Sequence, residues 1–269
     1  MNKRKSVIRW AVVILLIALI VWVLVDNVAL ELNTITVSSD CLPQEFDGFR
    51  IAHVSDLHSA QMGQGNERLL SMLREAKPDI IAITGDLMDA GDKDPAVALA
   101  FCQNAVEIAP VYYITGNHEV RLSREVYQQL MDGLRNAGIF ILEETEAILT
   151  RNDASISVVG HMWGDTDRLD EIPVSCDFSI LLSHQPEALP SYSAAGFDLV
   201  LTGHAHGGQF RLPFIGGLYA PGQGLLPNYD SGLYRRGDTQ MIVSRGIGNS
   251  VIPLRFNNPP EVILVILES

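Results

Sequence analysis

Five short segments carry side chains able to hold a divalent cation: Asp56-Leu57-His58, Gly85-Asp86-Leu87-Met88-Asp89, Gly116-Asn117-His118-Glu119, Ser183-His184 and Gly203-His204-Ala205-His206. Asp56, Asp86 and Asn117 offer oxygen, and His58, His184, His204 and His206 offer imidazole nitrogen, with no thiolate among them. Such a mixed set suits Mn²⁺, Fe²⁺ or Zn²⁺ and is too rich in nitrogen for a calcium cage. Seven ligands exceed one tetrahedral centre. Two ions sharing one bridging carboxylate accommodate them, and a pair about 3.5–4 Å apart is a recurring device for phosphoryl hydrolysis. Any one DxH or HxH pair is weak, because a lone histidine is more often a hydrogen-bonded structural residue. Five in order, each after a predicted strand, are hard to ascribe to coincidence.

The backbone must bring these segments to one edge. Strand-like runs are expected at Phe49 to Val54, Asp79 to Thr84, Val111 to Thr115, Ile139 to Leu142, Ser155 to Val159, Phe178 to Leu182, Asp198 to Thr202, Met241 to Ser244 and Val262 to Leu267. Several are nearly continuous apolar runs, the pattern of strands covered on both faces. Helical patterns fit Asn66 to Lys77, Pro95 to Ile108 and Ser123 to Ala137, with Asn66, Asp94 and Leu122 or Ser123 near their starts and Gly138 ending the third. An α/β layered sheet protein follows. Residues just past the carboxyl ends of neighbouring parallel strands share one crevice. Spacing of two at an extended strand end puts Asp56 with His58, and His204 with His206, on the same side. Glycines 85, 116 and 203 let the backbone turn before the ligands. The Gly- and Pro-rich stretch from Gln209 to Arg236 is too aromatic to stay solvated and reads as a long ordered loop bordering the site, to take an acyl chain or sugar or only to cover a sheet edge.

The 269 residues are 47% apolar and 19% charged, enough to bury a substantial core and too few charges for a disordered chain. Net charge is −13, although Lys3, Arg4, Lys5 and Arg9 all lie at the start, so the remainder is more acidic still and unsuited to dedicated nucleic-acid binding. Three cysteines without CxxC spacing give no disulfide framework and no thiolate zinc cage. Trp10 to Val25 is an unbroken apolar run behind those cations. It reads as an uncleaved membrane anchor within residues 1–30, followed by a body over 40–269; a cleaved signal peptide is the rival, weakened by the lack of a small-x-small pair at its exit. Charge bias keeps the short N-terminal end cytoplasmic and puts the body across the cell membrane.

The ordered set DxH, GDxxD, GNHE, a lone His and GHxH resembles the calcineurin-like metallophosphoesterases. With the anchor, the Gly203 to Gln209 block and the tail Ser244 to Ser250, the chain looks most like the bacterial YaeI/YkuE-type branch. The resemblance implies a two-sheet β-sandwich flanked by helices. It also implies Asp56, His58 and His206 on one ion, Asn117, His184 and His204 on the other, and Asp86 bridging. His118 is then the imidazole that is not a ligand, oriented by Asp89 and facing the scissile phosphate. The function expected is hydrolysis of a phosphodiester or pyrophosphate, on an envelope or lipid-linked substrate, by attack of a metal-bridging hydroxide with His118 as general acid.

Other residues read more plainly. His53, inside a strand, and His161 are expected to be structural, with Asp165 leaving His161 a role at the rim. Glu119 is expected behind the ligands rather than among them. Arg245, Asn249 and Arg255 meet substrate phosphate or pair with surface acids. Two rivals remain for the whole chain: a mono-metal amide or ester hydrolase, and a metal-loaded binding module without catalysis.

Overall fold

The computed structural model describes residues 2–249 and 253–269; Ser250, the last residue of the tail motif, lies outside them. The strand Ile80–Thr84 shows how the layers arise. All five residues are buried; Ile81 and Ile83 pack into a helical layer while Ile80 and Ala82 face a second sheet. Ser179–Leu182 does the same from the other side, with Ile180 and Leu182 directed inward and Leu181 outward. Side chains alternate across a strand, so an unbroken apolar run can serve two cores at once.

Among the described residues there are two six-stranded sheets. The first runs, in spatial order, Glu31–Ser38, Glu261–Glu268, Arg50–Val54, Ile80–Thr84, Val111–Ile114 and Phe140–Ile141, with the last four mutually parallel. The second runs Gly232–Arg236, Thr239–Val243, Leu199–Thr202, Ser179–Leu182, Ala154–Gly160 and Glu146–Arg151, parallel through its four central strands. Helices α2 (Glu67–Ala76), α3 (Ala96–Ala105) and α4 (Arg124–Asn136) cover the outer face of the first sheet, and α5 (Leu189–Ala195) packs on the second. The layers are helix, sheet, sheet, helix, the sandwich that the motifs imply.

Helix α4 follows its sequence closely. Ser123 accepts the amide of Val126, Gly138 ends the element in the left-handed region, and Val126, Leu130, Met131 and Leu134 form the buried stripe. At α2 the expected cap differs: Asn66 is itself left-handed and uses its side chain to accept the amide of Met62 at 2.7 Å.

Three strands escape the sequence reading: Glu31–Ser38, Glu146–Arg151 and Gly232–Arg236. Each is a sheet edge with one flank in solvent, so its side chains mix polar with apolar and lack the continuous run of an inner strand. The stretch from 209 to 236 is not one loop. It folds as two small hairpins, Arg211–Leu212 with Gly216–Gly217 and Tyr219–Ala220 with Gly224–Leu225, ahead of the edge strand. Helix α1 (Asn2–Asp26) leaves its apolar side chains exposed and meets the body near its end, where the Trp22 ring lies 5.2 Å from that of Phe256, and Lys5–Asp26 is long and apolar enough to cross a membrane.

Candidate metal centre

Arg50–Val54, Ile80–Thr84 and Val111–Ile114 lie side by side in one sheet, and Ser179–Leu182 and Leu199–Thr202 side by side in the other. Just past these five ends come Asp56 and His58, Asp86, Asn117, His184, and His204 and His206. All seven are buried. Their ligand atoms fall into three groupings: Asp56, His58 and His206; His58, Asp86 and His118; and Asp86, His184 and His204. His206 Nε2 is 3.4 Å from Asp56 Oδ1, His58 Nε2 is 3.6 Å from Asp86 Oδ2, and His184 Nε2 is 3.2 Å from the same oxygen. Asp86 therefore stands between the two ends of the cluster.

The convergence is not produced by strand alternation, as the two-residue spacing led us to expect. Asp56, His58, Asp86, His204 and His206 all have positive φ, from 46° to 66°, so each motif leaves its strand in a tight left-handed turn. Such backbone costs on the order of 1–3 kcal/mol per residue and persists where the surroundings over-determine it. Close approach does the rest. A Cβ on Gly203 would come within 1.9 Å of Ser55 Oγ and 2.3 Å of Asp56 Oδ2, and one on Gly116 within 2.2 Å of Asp86 Oδ1. Only glycine fits there.

Hydrogen bonds aim the ligand atoms. His58 Nδ1 is 2.7 Å from Asp89 Oδ1 and His184 Nδ1 is 2.6 Å from the carbonyl of Thr84, so both rings donate there and turn Nε2 inward, where it can take an ion in exchange for its proton. The amide of His118 donates to Asp86 Oδ1 at 2.9 Å, leaving Oδ2 turned inward. His58 Nε2, His184 Nε2, Asp86 Oδ2 and Asn117 Oδ1 are buried without a hydrogen-bond partner. Buried polar atoms without partners are costly, and four pointing into one space fit cation ligands of the mixed oxygen and nitrogen type.

Glu119 lies behind the ligands. It is fully buried and accepts four backbone amides, those of Asp86, Leu87, Met88 and Gly116, at 2.6–3.3 Å. Burial and the neighbouring charge of Asp86 lift its carboxyl to about 7 against the pull of these donors. The ligands share a field of their own. Burial opposes charge on every one, yet His206, His58 and His184 hold Asp56 well below the carboxylate range, and His184 and His58 do the same for Asp86. In return the carboxylates outweigh burial at His58 and His184, raising them to about 10 and about 9. Burial dominates at His204 and His206 and lowers both to about 3.

His118 departs from its expected setting. The amide of Ala90 donates to its Nδ1 at 3.0 Å, which puts the ring proton on Nε2, 4.0 Å from Asp86 Oδ2. Asp89 is shared: its Oδ1 lies 3.4 Å from His118 Nδ1 but is bonded to His58. It orients His58 more directly than His118. Trp163 was not foreseen; its ring sits 4.7 Å from that of His204 and 5.7 Å from that of His184, and no local pattern marks it. His53 is a packed strand residue bonded to Thr84 Oγ1 at 2.9 Å, and His161 pairs with Glu144 at 3.0 Å. Arg245 pairs with Glu31 and Glu261, and buried Arg255 donates to the carbonyls of Arg245, Gly248 and Asn258, so both arginines brace the structure. Asn249 keeps a buried Oδ1 without a partner.

The calcineurin-like phosphoesterase family matches residues 49–208, the span that holds every side chain of the cluster. The chain belongs to that family. It is similar to the uncharacterized metallophosphoesterase YkuE of Bacillus subtilis, 31% identical over 89% of this chain and 86% of that one. The phosphodiesterase YaeI of Escherichia coli is 28% identical over 81% and 82%. A transmembrane protein with metallophosphoesterase domain from Danio rerio is 27% identical over 84% of this chain and 55% of its own. The family member described here is a metal-dependent phosphoester hydrolase of the bacterial YaeI/YkuE-type branch, and its clustered Asp and His side chains could hold divalent ions.

Proposed function

We propose that this chain is a membrane-anchored dimetal phosphoesterase that hydrolyses phosphodiester or pyrophosphate bonds in an envelope or lipid-linked substrate. The reading rests on one observation, the meeting of two ligand groups at Asp86. Asp56, His58 and His206 would hold one divalent ion and Asn117, His184 and His204 the other, with Asp86 common to both. When bound, such ions bring a water toward ionisation at neutral pH and neutralise non-bridging phosphoryl oxygens.

The remaining work falls to the chain. His118, whose Nδ1 takes the Ala90 amide, holds a proton at Nε2 and is the more open imidazole, with a fifth of its side chain exposed. It donates that hydrogen bond to a phosphoryl or leaving-group oxygen. Asp89 fixes the ring of His58, and Trp163 walls the His184 and His204 side against water. The acidic body does not forbid an anionic substrate, because the local field is that of the ions. Helix α1 would keep the body at the cell membrane, N-terminus cytoplasmic and catalytic domain extracytoplasmic, by the charge of its leading residues.

Turnover of bis(p-nitrophenyl) phosphate with Mn²⁺ tests the reading. His118→Ala should lose roughly 10²–10⁴-fold in kcat while keeping its metal. Equal rates in the two proteins would remove His118 from the reaction. Metal retention with no turnover of any phosphoester would favour a binding module.

A further inference from the structure

Outside α1, the most exposed large apolar side chains of the described residues crowd into one short stretch. Phe214 is fully exposed, and Leu225, Leu226 and Ile215 are 80%, 63% and 60% exposed. Phe214 and Ile215 lie at the turn of the first small hairpin, and Leu225 and Leu226 at the open end of the second, where Leu225 pairs with Tyr219 and the amide of Leu226 donates to the carbonyl of Leu218; Phe214 and Leu226 also hold positive φ. Apolar residues scattered singly over a surface need no explanation, but four on two adjoining hairpins point to an interaction face.

The position of the hairpins says what covers them. Their root and the end of α1 grip the same segment, residues 254–258. From the helix side, the ring of Trp22 lies 5.2 Å from that of Phe256, the Asn27 side chain exchanges hydrogen bonds with the backbone of Arg255, and Asp26 accepts the amide of Asn258. From the hairpin side, Phe210 pairs with Phe256, the amide of Arg211 donates to the Phe256 carbonyl at 2.9 Å, and Gln209 donates to the carbonyl of Leu254. Asn258 then donates to the carbonyl of His206 at 2.7 Å, and the amide of Leu218 to that of Gly208. The end of α1, the root of the hairpins that carry these apolar side chains and one end of the metal cluster therefore share a corner of the body.

We infer that the turn bearing Phe214 and Ile215, together with Leu225 and Leu226 at the open end of the second hairpin, inserts into the leaflet from which α1 emerges, giving the body a second contact with the lipid bilayer. A single helix would let the body swivel. Two contacts at one corner fix its tilt and hold the His206 side of the metal cluster toward the headgroup layer. Exposed apolar side chains of this kind, carried on short hairpins, settle at the boundary of headgroups and acyl chains. The inference rests on the reading of α1 as a membrane anchor and goes beyond it.

The test uses the full chain in nanodiscs of phosphatidylcholine and phosphatidylglycerol. Single cysteines replace Phe214, Leu225, Val21 in α1, or Ile148 on the far edge strand, in a Cys41→Ser and Cys176→Ser background. Each carries a bimane label read against shallow doxyl-lipid quenchers. Quenching at 214, 225 and 21 but not at 148 is the expected result. Quenching at 21 alone overturns the inference and leaves the anchor standing; absence of quenching at 21 removes both. Protection at 214 that appears only on self-association, without lipid quenching, makes the hairpins a contact between copies and also overturns it. Phe214→Asp with Leu225→Asp should hydrolyse the soluble aryl diester within about two-fold of the parent, while a bimane label on an added Ile215→Cys loses the bilayer signal it shows without the two aspartates.

Discussion

Asp86 concentrates the problem of the centre in one side chain. Its Oδ1 is held by the amide of His118 and its Oδ2 faces His58 and His184, so a carboxylate with no exposure is kept charged by imidazoles that are themselves protonated because of it. A divalent ion competes with those protons. With His58 at about 10 and His184 at about 9, both carry a proton below pH 9, so ion uptake must release protons and affinity must rise with pH toward those values. Calorimetric titration with Mn²⁺ at pH 7, in two buffers of different ionisation heat, should give observed heats that differ by the released protons; equal observed heats in the two buffers would contradict this. The place of Asp89 gives a separate prediction. Because it bonds His58 at 2.7 Å, Asp89→Asn should weaken ion binding about 10- to 100-fold, measured by competition with a chelator. An unchanged affinity with lost turnover would instead tie Asp89 to His118. The side chains that gather at this cluster were legible from their types and their recurrence after predicted strands. The left-handed turns, the tautomer of His118 and the neighbourhood of Trp163 were not, since each depends on a partner far away in the chain.

The elements explain why the ligands stay in place. Glu119 stands on a single turn of 3-10 helix, Glu119–Arg121, yet it ties the turn after Ile80–Thr84 to the turn after Val111–Ile114 through four amides. Replacing one oxygen by an amide group would set a donor against two of those donors. Glu119→Gln should therefore destabilise the fold by on the order of 3 kcal/mol, read from denaturant midpoints, and weaken ion binding as well. Stability equal to the parent would mean that the loops are held by other contacts. Inner strands were readable because burial on both faces demands unbroken apolar runs, as in Ile80–Thr84. Edge strands such as Glu31–Ser38 were not, because their stability comes from pairing with Glu261–Glu268, more than two hundred residues away, rather than from local pattern.

At the scale of the whole molecule, the two sheets present parallel strands with their carboxyl ends at one rim, and the rim gathers what the sequence spreads over residues 56 to 206. That corner is also where α1 joins the body, through Asp26, Asn27 and Trp22, so the apolar helix is braced against the same corner as the metal cluster. Nothing local in Asp26 or Asn258 announces this link. The central claim is that the rim holds a coupled pair of ions, and diffraction from Mn²⁺-loaded crystals at the manganese absorption edge tests it most directly. Two anomalous peaks are predicted, both in contact with Asp86, one beside Asp56, His58 and His206 and the other beside Asn117, His184 and His204. A single peak served by only one of those groups would contradict it.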